Sequence, residues 1–288
     1  MKKLKFITLI IAILFLFVSC SINTSKIPET PNVAGVKIHF IDVGQGDAIL
    51  IQYKDKNMLI DSSTNNEEKK FKSYITALNI KKLDAVVTTH PDEDHIGNMA
   101  WVIKNFDIGK FYAPKKTSTT KTFENMITEL KNKNLKINVL KAGSSIEFSE
   151  DVKLEVFAPN SDNYGESNNN YSPVIKLTYG GNSALFTGDA EKESEKETLQ
   201  KGYNLKSDIL KVGHHGSSSS TSTDFLKAVS PRYAVISCGK DNKYGHPHKE
   251  TINKLTNIKA EIYRTDQDST ITAVLDGQNI TMTRARTN

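Results

Sequence analysis

Two histidines and two aspartates fall within six residues in the segment Thr89-His90-Pro91-Asp92-Glu93-Asp94-His95-Ile96-Gly97. The segment directly follows Leu83 to Thr88, an apolar and β-branched run that reads as a buried strand. A polar turn or helix cap accounts for Asp92 or Asp94, but not for two histidines beside them. Imidazole nitrogens and carboxylate oxygens both bind divalent first-row metals. A turn leaving a strand can aim alternate residues into one pocket, while the adjacent Asp94-His95 pair enters from another side. The spacing therefore predicts ligands for two metal ions, and the fold must bring further ligands to the same place.

The rest of the chain supplies them at matching positions. Six of the seven histidines lie in three clusters. His214 and His215 follow the strand-like Ile209 to Gly213, and His246-Pro247-His248 follows Tyr244-Gly245. Asp189 ends Leu185-Phe186-Thr187-Gly188-Asp189, where the glycine permits a tight turn and the carboxylate could bridge two metals. Strand ends are where α/β folds place their sites. His39 sits inside a strand pattern and reads as a packed histidine.

Strands are expected at Lys37–Ile41, Ala48–Tyr53, Met58–Ile60, Leu83–Thr88, Lys136–Leu140, Val152–Phe157, Val174–Tyr179, Ser183–Thr187, Ile209–Val212 and Tyr233–Ser237. Glu261–Arg264, Thr270–Leu275 and Ile280–Thr283 read as a terminal meander. Helical periodicity covers Glu67–Leu78, Asn98–Asn105, Lys121–Lys131, Glu191–Gln200, Thr223–Val229 and Lys249–Thr256. Asp224, preceded by Ser222 and Thr223, supplies N-cap chemistry for the fifth. Asn160 to Asn170 and Gly213 to Thr223 read as surface loops. The order suits an α/β class of packed sheets with helices outside.

Lys2, Lys3 and Lys5 precede an apolar run from Phe6 to Val18 that is shorter than the ~20 residues a spanning helix needs. Phe17-Val18-Ser19-Cys20 resembles a bacterial lipobox, in which the cysteine is lipidated. Residues 1–20 are thus expected to be a signal peptide, 21–34 a polar tether with Pro28 and Pro31, and 35–288 the catalytic domain. Plain secretion and an uncleaved anchor are the alternatives; all three place the domain outside the cytoplasm. Setting the three lysines aside leaves 35 basic against 33 acidic residues, a balance of +2 that gives no general argument for nucleic-acid binding. The other cysteine, Cys238, lies in an apolar stretch and reads as a packing residue.

His90-x-Asp92-x-Asp94-His95, Thr187-Gly188-Asp189 and Gly213-His214-His215-Gly216-Ser217 resemble the metallo-β-lactamase superfamily. Phe40 to Asp47, Asn170-Tyr171-Ser172, Lys211 to Ser217 and Tyr244-Gly245-His246-Pro247 resemble one branch more closely, the hydrolase domain of the ComEC-type DNA-uptake channel. The resemblance spans about Val36 to Arg284. It implies a metallo-β-lactamase fold, a four-layer αββα sandwich. With one signal-like segment in place of many membrane spans, the chain is expected to be a free-standing relative of that domain.

By the same resemblance His90, Asp92 and Asp189 would hold a first divalent ion. Asp94, His95, Asp189 and one of His214 and His215 would hold a second, with His215 favoured because Gly216 follows it. No histidine occurs between residues 96 and 213, so the first site lacks a ligand the superfamily commonly supplies. Zinc is expected, and the oxygen-rich donor set admits manganese. The implied chemistry is hydrolysis by a metal-activated water, best suited to a phosphodiester such as DNA or teichoic acid. Asp94, His214 and His246 are the expected catalytic residues, the two histidines binding phosphate or protonating the leaving group. Ser217 and Asn170 are candidate hydrogen-bond donors to substrate, and Asp47 and Asp84 candidate supports for ligand histidines. A teichoic acid phosphorylcholine esterase, a β-lactamase-like hydrolase and a non-catalytic surface binding protein are competing readings; the sequence points to no protein partner. Retained ligands weigh against the binding protein, and metal content discriminates it.

Overall fold

A computed structural model describes residues 34–285. The expected signal peptide, lipobox and nearly all of the tether lie outside the described residues. Among the described residues no helix is long and apolar enough to cross a membrane.

Fourteen strands among these residues form two mixed sheets. The first runs β14 (Ile280–Arg284), β13 (Ile271–Leu275), β1 (Val36–Phe40), β2 (Ile49–Tyr53), β3 (Lys56–Ile60), β4 (Lys82–Val87), β5 (Asp107–Pro114) and β6 (Ile137–Leu140). The second runs β12 (Glu261–Arg264), β11 (Tyr233–Ile236), β10 (Ile209–Lys211), β9 (Asn182–Phe186), β8 (Ile175–Tyr179) and β7 (Lys153–Val156). Strands β3 to β6 are parallel, as are β9 to β12. Their carboxyl ends gather the functional turns.

Period-two alternation builds the layers. On β2, Ile49 and Ile51 face the space between the sheets, where they join Ile38, Phe40 and Phe186; Leu50 faces outward. The Phe40 and Phe186 rings meet across that space, 6.3 Å apart. Leu50, Leu59, Val86 and Phe111 pack outward against α1 (Glu68–Ala77), α3 (Met99–Asn105) and α4 (Lys121–Asn132). Leu185, Leu210 and Ala234 pack against α6 (Thr223–Val229) and α7 (Lys249–Asn257). The order of layers is helix, sheet, sheet, helix, as the resemblance implied.

Several expectations change. The terminal strands are not a meander: β12 continues the second sheet parallel to β11, whereas β13 crosses to pair with β1. Strand β5 escaped notice because Gly109 interrupts its apolar pattern and Pro114 ends it. Two single-turn helices, α2 (Glu93–Ile96) and α8 (Thr265–Asp268), are too short to show periodicity. Ser222, not Asp224, caps α6, its hydroxyl accepting from the Phe225 amide. Residues 213–223 are not a surface loop; Gly213, His215, Ser220 and Thr221 are all buried.

Candidate metal centre

Five strand ends converge. From the first sheet, β3 leads into Asp61, and β4 leads through Thr88-Thr89-His90 into α2 with Asp94 and His95. From the second, β9 delivers Asp189, β10 delivers His214 and His215, and β11 leads to the loop carrying His246.

Asp189 is the hub. Its carboxylate lies 3.4 Å from His95 Nε2, 3.6 Å from both His214 Nε2 and His215 Nε2, and 3.9 Å from His90 Nε2. Asp94 approaches His215 Nε2 at 3.3 Å, and Asp92 approaches His90 Nε2 at 3.5 Å. All seven sequence-expected ligand candidates therefore lie around one point, the histidine pair included. Asp92 is the most open, its side chain 41% exposed and held by Asn168.

What the centre lacks is a hydrogen bond for each inward atom. Nε2 of His90, His95 and His215 and Oδ1 of Asp189 are buried and have no partner. A buried polar atom left unpaired is costly. Four of them aimed at one small volume fit a cation there. Each histidine is meanwhile fixed through Nδ1. His95 Nδ1 is 2.8 Å from Asp61 Oδ2, His215 Nδ1 is 2.9 Å from the Ser237 carbonyl, and His90 Nδ1 lies beside the hydroxyls of Thr89 and Ser172. With Nδ1 donating, each Nε2 keeps its lone pair for a metal.

Electrostatics follow from this crowding. Burial alone would raise the Asp189 carboxyl, yet His215, His95 and His90 hold it well below the usual range. Asp94 is likewise depressed against burial by His95 and His215. Burial works against charge on His95 and His215 too, but the surrounding carboxylates win and raise both. His246, half-buried, is pushed down to about 4, first by burial and then by neighbouring imidazoles. Glu191 is held low by a hydrogen bond from His214, whose Nδ1 is 3.3 Å away.

Local backbone explains the geometry. His214 and His215 both adopt left-handed conformations, at φ 48° and 53°. Such strain in consecutive non-glycine residues persists where surroundings impose it, and it turns the two rings in different directions. His215 is buried with its ring against Asp94; His214 is partly exposed, backed by Ser219 and Glu191. Gly46 sits at φ 143°, where an added Cβ would come within 2.4 Å of the Asp94 carbonyl. The Gly44-Gln45-Gly46-Asp47 turn thus presses against the helix that carries Asp94.

Other expected residues take different places. Asp84 lies at the opposite end of β4, engaged by Lys56, Lys82 and the Asn57 amide, and supports no ligand. Asn170 accepts from the amides of Glu191 and Ser194 at the start of α5 (Lys192–Gln200), away from the pocket. Ser217 is buried and bonds to Ser219. Asp47 is 3.6 Å from His215 Nδ1, but its strong partner is Lys211 at 2.8 Å. His39 is packed, bonded to Tyr74 and Gln52. His248 turns away toward Ser218. Asp61 was missed: it is fully buried and accepts from the Thr89 amide and hydroxyl as well as from His95.

The pocket has a volume of about 170 Å³, with Gln45, Asn169, Tyr244 and His246 completing its walls. The sequence matches the metallo-beta-lactamase superfamily over residues 41–240. The chain is 34% identical over 253 residues to ComE operon protein 3 of Bacillus subtilis (strain 168), covering 82% of this chain and 32% of the relative. It is 29% identical over 263 residues to competence protein ComA of Neisseria gonorrhoeae, covering 88% and 34%. It therefore spans about a third of the length of these curated relatives. In fold it is similar to the metallo-beta-lactamase fold protein YhfI from Bacillus subtilis, with a TM-score of 0.54 at 14% identity over 83% of this chain and 99% of the other.

Proposed function

This chain belongs to the metallo-beta-lactamase superfamily of metal-dependent hydrolases, and from that premise we propose that it is a binuclear phosphodiesterase acting on nucleic acid or a related phosphodiester. The observation carrying the reading is the set of unpaired inward atoms around Asp189. His90, Asp92 and Asp189 would hold one divalent ion, and Asp94, His95, Asp189 and His215 the other. Two such ions supply positive charge opposite an anionic phosphate and lower the pKa of the attacking water.

The chain's own groups do the rest. Asp189 and Asp94, facing the same volume as the histidine Nε2 atoms, would position the attacking water. His214 is left unassigned to either ion, and Glu191 orients it with Nε2 toward the pocket; it is the candidate proton donor to the leaving oxygen. His246, neutral at pH 7, can donate an N–H to a phosphate oxygen. Zinc is the expected metal, and three carboxylates in the donor set leave manganese competent. The likeness to competence proteins supports a nucleic acid over a teichoic acid. In the same reading, lipidation at Cys20 anchors the enzyme to the outer face of the membrane, and Cys20→Ser should move it from the membrane fraction to the medium or periplasm.

The test is hydrolysis of bis-(p-nitrophenyl) phosphate with zinc and manganese added separately. Metal-dependent turnover, lost by at least a hundredfold in Asp94→Ala, is expected. No turnover with either metal would overturn the phosphodiesterase and redirect the search to lactam, ester and thioester substrates.

A further inference from the structure

Tyr244 stands at the lip of the metal pocket with 53% of its surface exposed. An exposed tyrosine on a loop needs no explanation by itself. This one is built in. Its ring lies nearly parallel to His246, with centroids 5.6 Å apart at 22°, and His246 lies against His214 and His215. The Asn242 side chain fixes the same turn, accepting from the amides of Tyr244 and His246 and donating to the His246 carbonyl. Tyr244 also walls a second, larger cleft of about 510 Å³ that adjoins the pocket at Asp94 and Gln45.

Charge in that cleft is unevenly free. Glu93 accepts from Thr64 and the Asn65 amide, Asp266 is paired with Arg264, and Glu67 and Asp42 are engaged by Lys70. Lys240 and Lys243 have no carboxylate partner among the described residues, and both are exposed. The Lys243 ammonium rests over the Tyr244 ring, 5.1 Å from its centroid. Beside the metal pocket one cleft thus carries an aromatic ring and two cations without a carboxylate partner among the described residues, and Lys243, exposed on a flexible stem, can leave the ring to a base and take a phosphate.

We propose that Tyr244 is a stacking platform for the base adjoining the scissile phosphate, that Lys240 and Lys243 hold the next phosphate, and that the substrate is therefore single-stranded nucleic acid. A base within a duplex has both faces covered by its neighbours, so only an unstacked base can meet the ring. Stacking is tolerant of sequence, so the cleft selects strandedness rather than sequence. The proposal rests on the phosphodiesterase reading for its scissile phosphate, but its binding half can be measured without turnover.

The experiment compares fluorescently labelled single strands, their duplexes and an abasic strand of equal length, in DNA and RNA arms. Binding is followed by anisotropy in chelator, and cleavage with metal. In at least one arm the single strand is expected to bind more tightly than its duplex and than the abasic strand. Tyr244→Ala should weaken single-strand binding about ten- to hundredfold, and Tyr244→Phe should retain it. In cleavage, Tyr244→Ala should raise KM for the oligonucleotide at least tenfold more than KM for bis-(p-nitrophenyl) phosphate. Lys240→Ala and Lys243→Ala should each reduce the salt slope of binding by about 0.7. Equal binding of abasic and base-bearing strands, preference for the duplex in both arms, or an equal loss on both substrates in Tyr244→Ala would overturn the platform. A chain that hydrolyses no phosphodiester yet binds single strands through Tyr244 would overturn only the phosphodiesterase.

Discussion

Asp61 sets the direction of His95. Its carboxylate takes three hydrogen bonds from Thr89 and His95 and lies wholly out of solvent. Asp61→Ala should lower metal affinity about ten- to a hundredfold, measured by competition with a chromophoric chelator. The rule that found Asp189, a carboxylate emerging from an apolar strand, applies equally to Asp61 after Met58 to Ile60. What the sequence withholds is that β3 lies beside β4. The choice between His214 and His215 was only partly legible as well, since it depends on two left-handed residues. Asp84, Asn170 and Ser217 were misplaced because residue type does not state which end of a strand, or which face of a loop, it occupies. Protonation is a further consequence. Without metal, the surrounding carboxylates favour the protonated forms of His95 and His215, so metal binding should release protons, read by calorimetry in buffers of different ionisation enthalpy. Raised histidines stabilise the metal-free fold fully below about pH 6.5 and lose that contribution as pH rises through their folded values. Depressed Asp94 and Asp189 stabilise above about pH 4 and lose it as pH falls through theirs. The centre's contribution is therefore complete between about pH 4 and 6.5. The Tm of chelated protein should decline above that window, and a Tm that rises there would contradict the ion-pair account.

At the scale of elements, the turn between β1 and β2 acts on α2 by contact. Its Asp47 amide donates to the Asp94 carbonyl at 3.2 Å, and Gly46 leaves no room for a side chain beside that carbonyl. Gly46→Ala should displace Asp94 and lower kcat/KM on a phosphodiester about a hundredfold, since ångström-scale misplacement costs that much. Retention of full activity would show that the turn does not position Asp94. Most elements were legible because β2 opens on Ile49-Leu50-Ile51 and β4 closes on Ala85-Val86-Val87, the apolar pattern of strands covered on both faces. Helices α4 and α7 declared themselves by periodicity. Strand β5 did not, since its glycine and terminal proline resemble loop chemistry. The assignment of β12 and β13 to different sheets is not stated by either segment: both are short, and only their pairing with β11 and β1 separates them.

Across the whole molecule, the two sheets are joined beneath the centre by a buried ion pair. Asp47 comes from the first sheet's loop and Lys211 from β10 of the second; both are at most 2% exposed. Lys211→Met would remove the close cation partner of buried Asp47, and should cost about 3–5 kcal/mol in urea unfolding, much of it recovered by Asp47→Leu in the same chain. An unchanged midpoint would show that the pair is not stabilising. The division of the centre between the two sheets also orders events in time. His90, Asp92, Asp94 and His95 precede β7 in the chain, whereas Asp189 and the histidine pair follow it. A polypeptide synthesised only as far as β7 holds four of the six proposed ligands and lacks Asp189 and His215. On the proposed assignment, hydrolytic power would arrive only once β9 and β10 deliver Asp189 and His215, rather than accumulating along the way. By the same proposal, copies truncated before β9 would be silent toward any phosphodiester they meet.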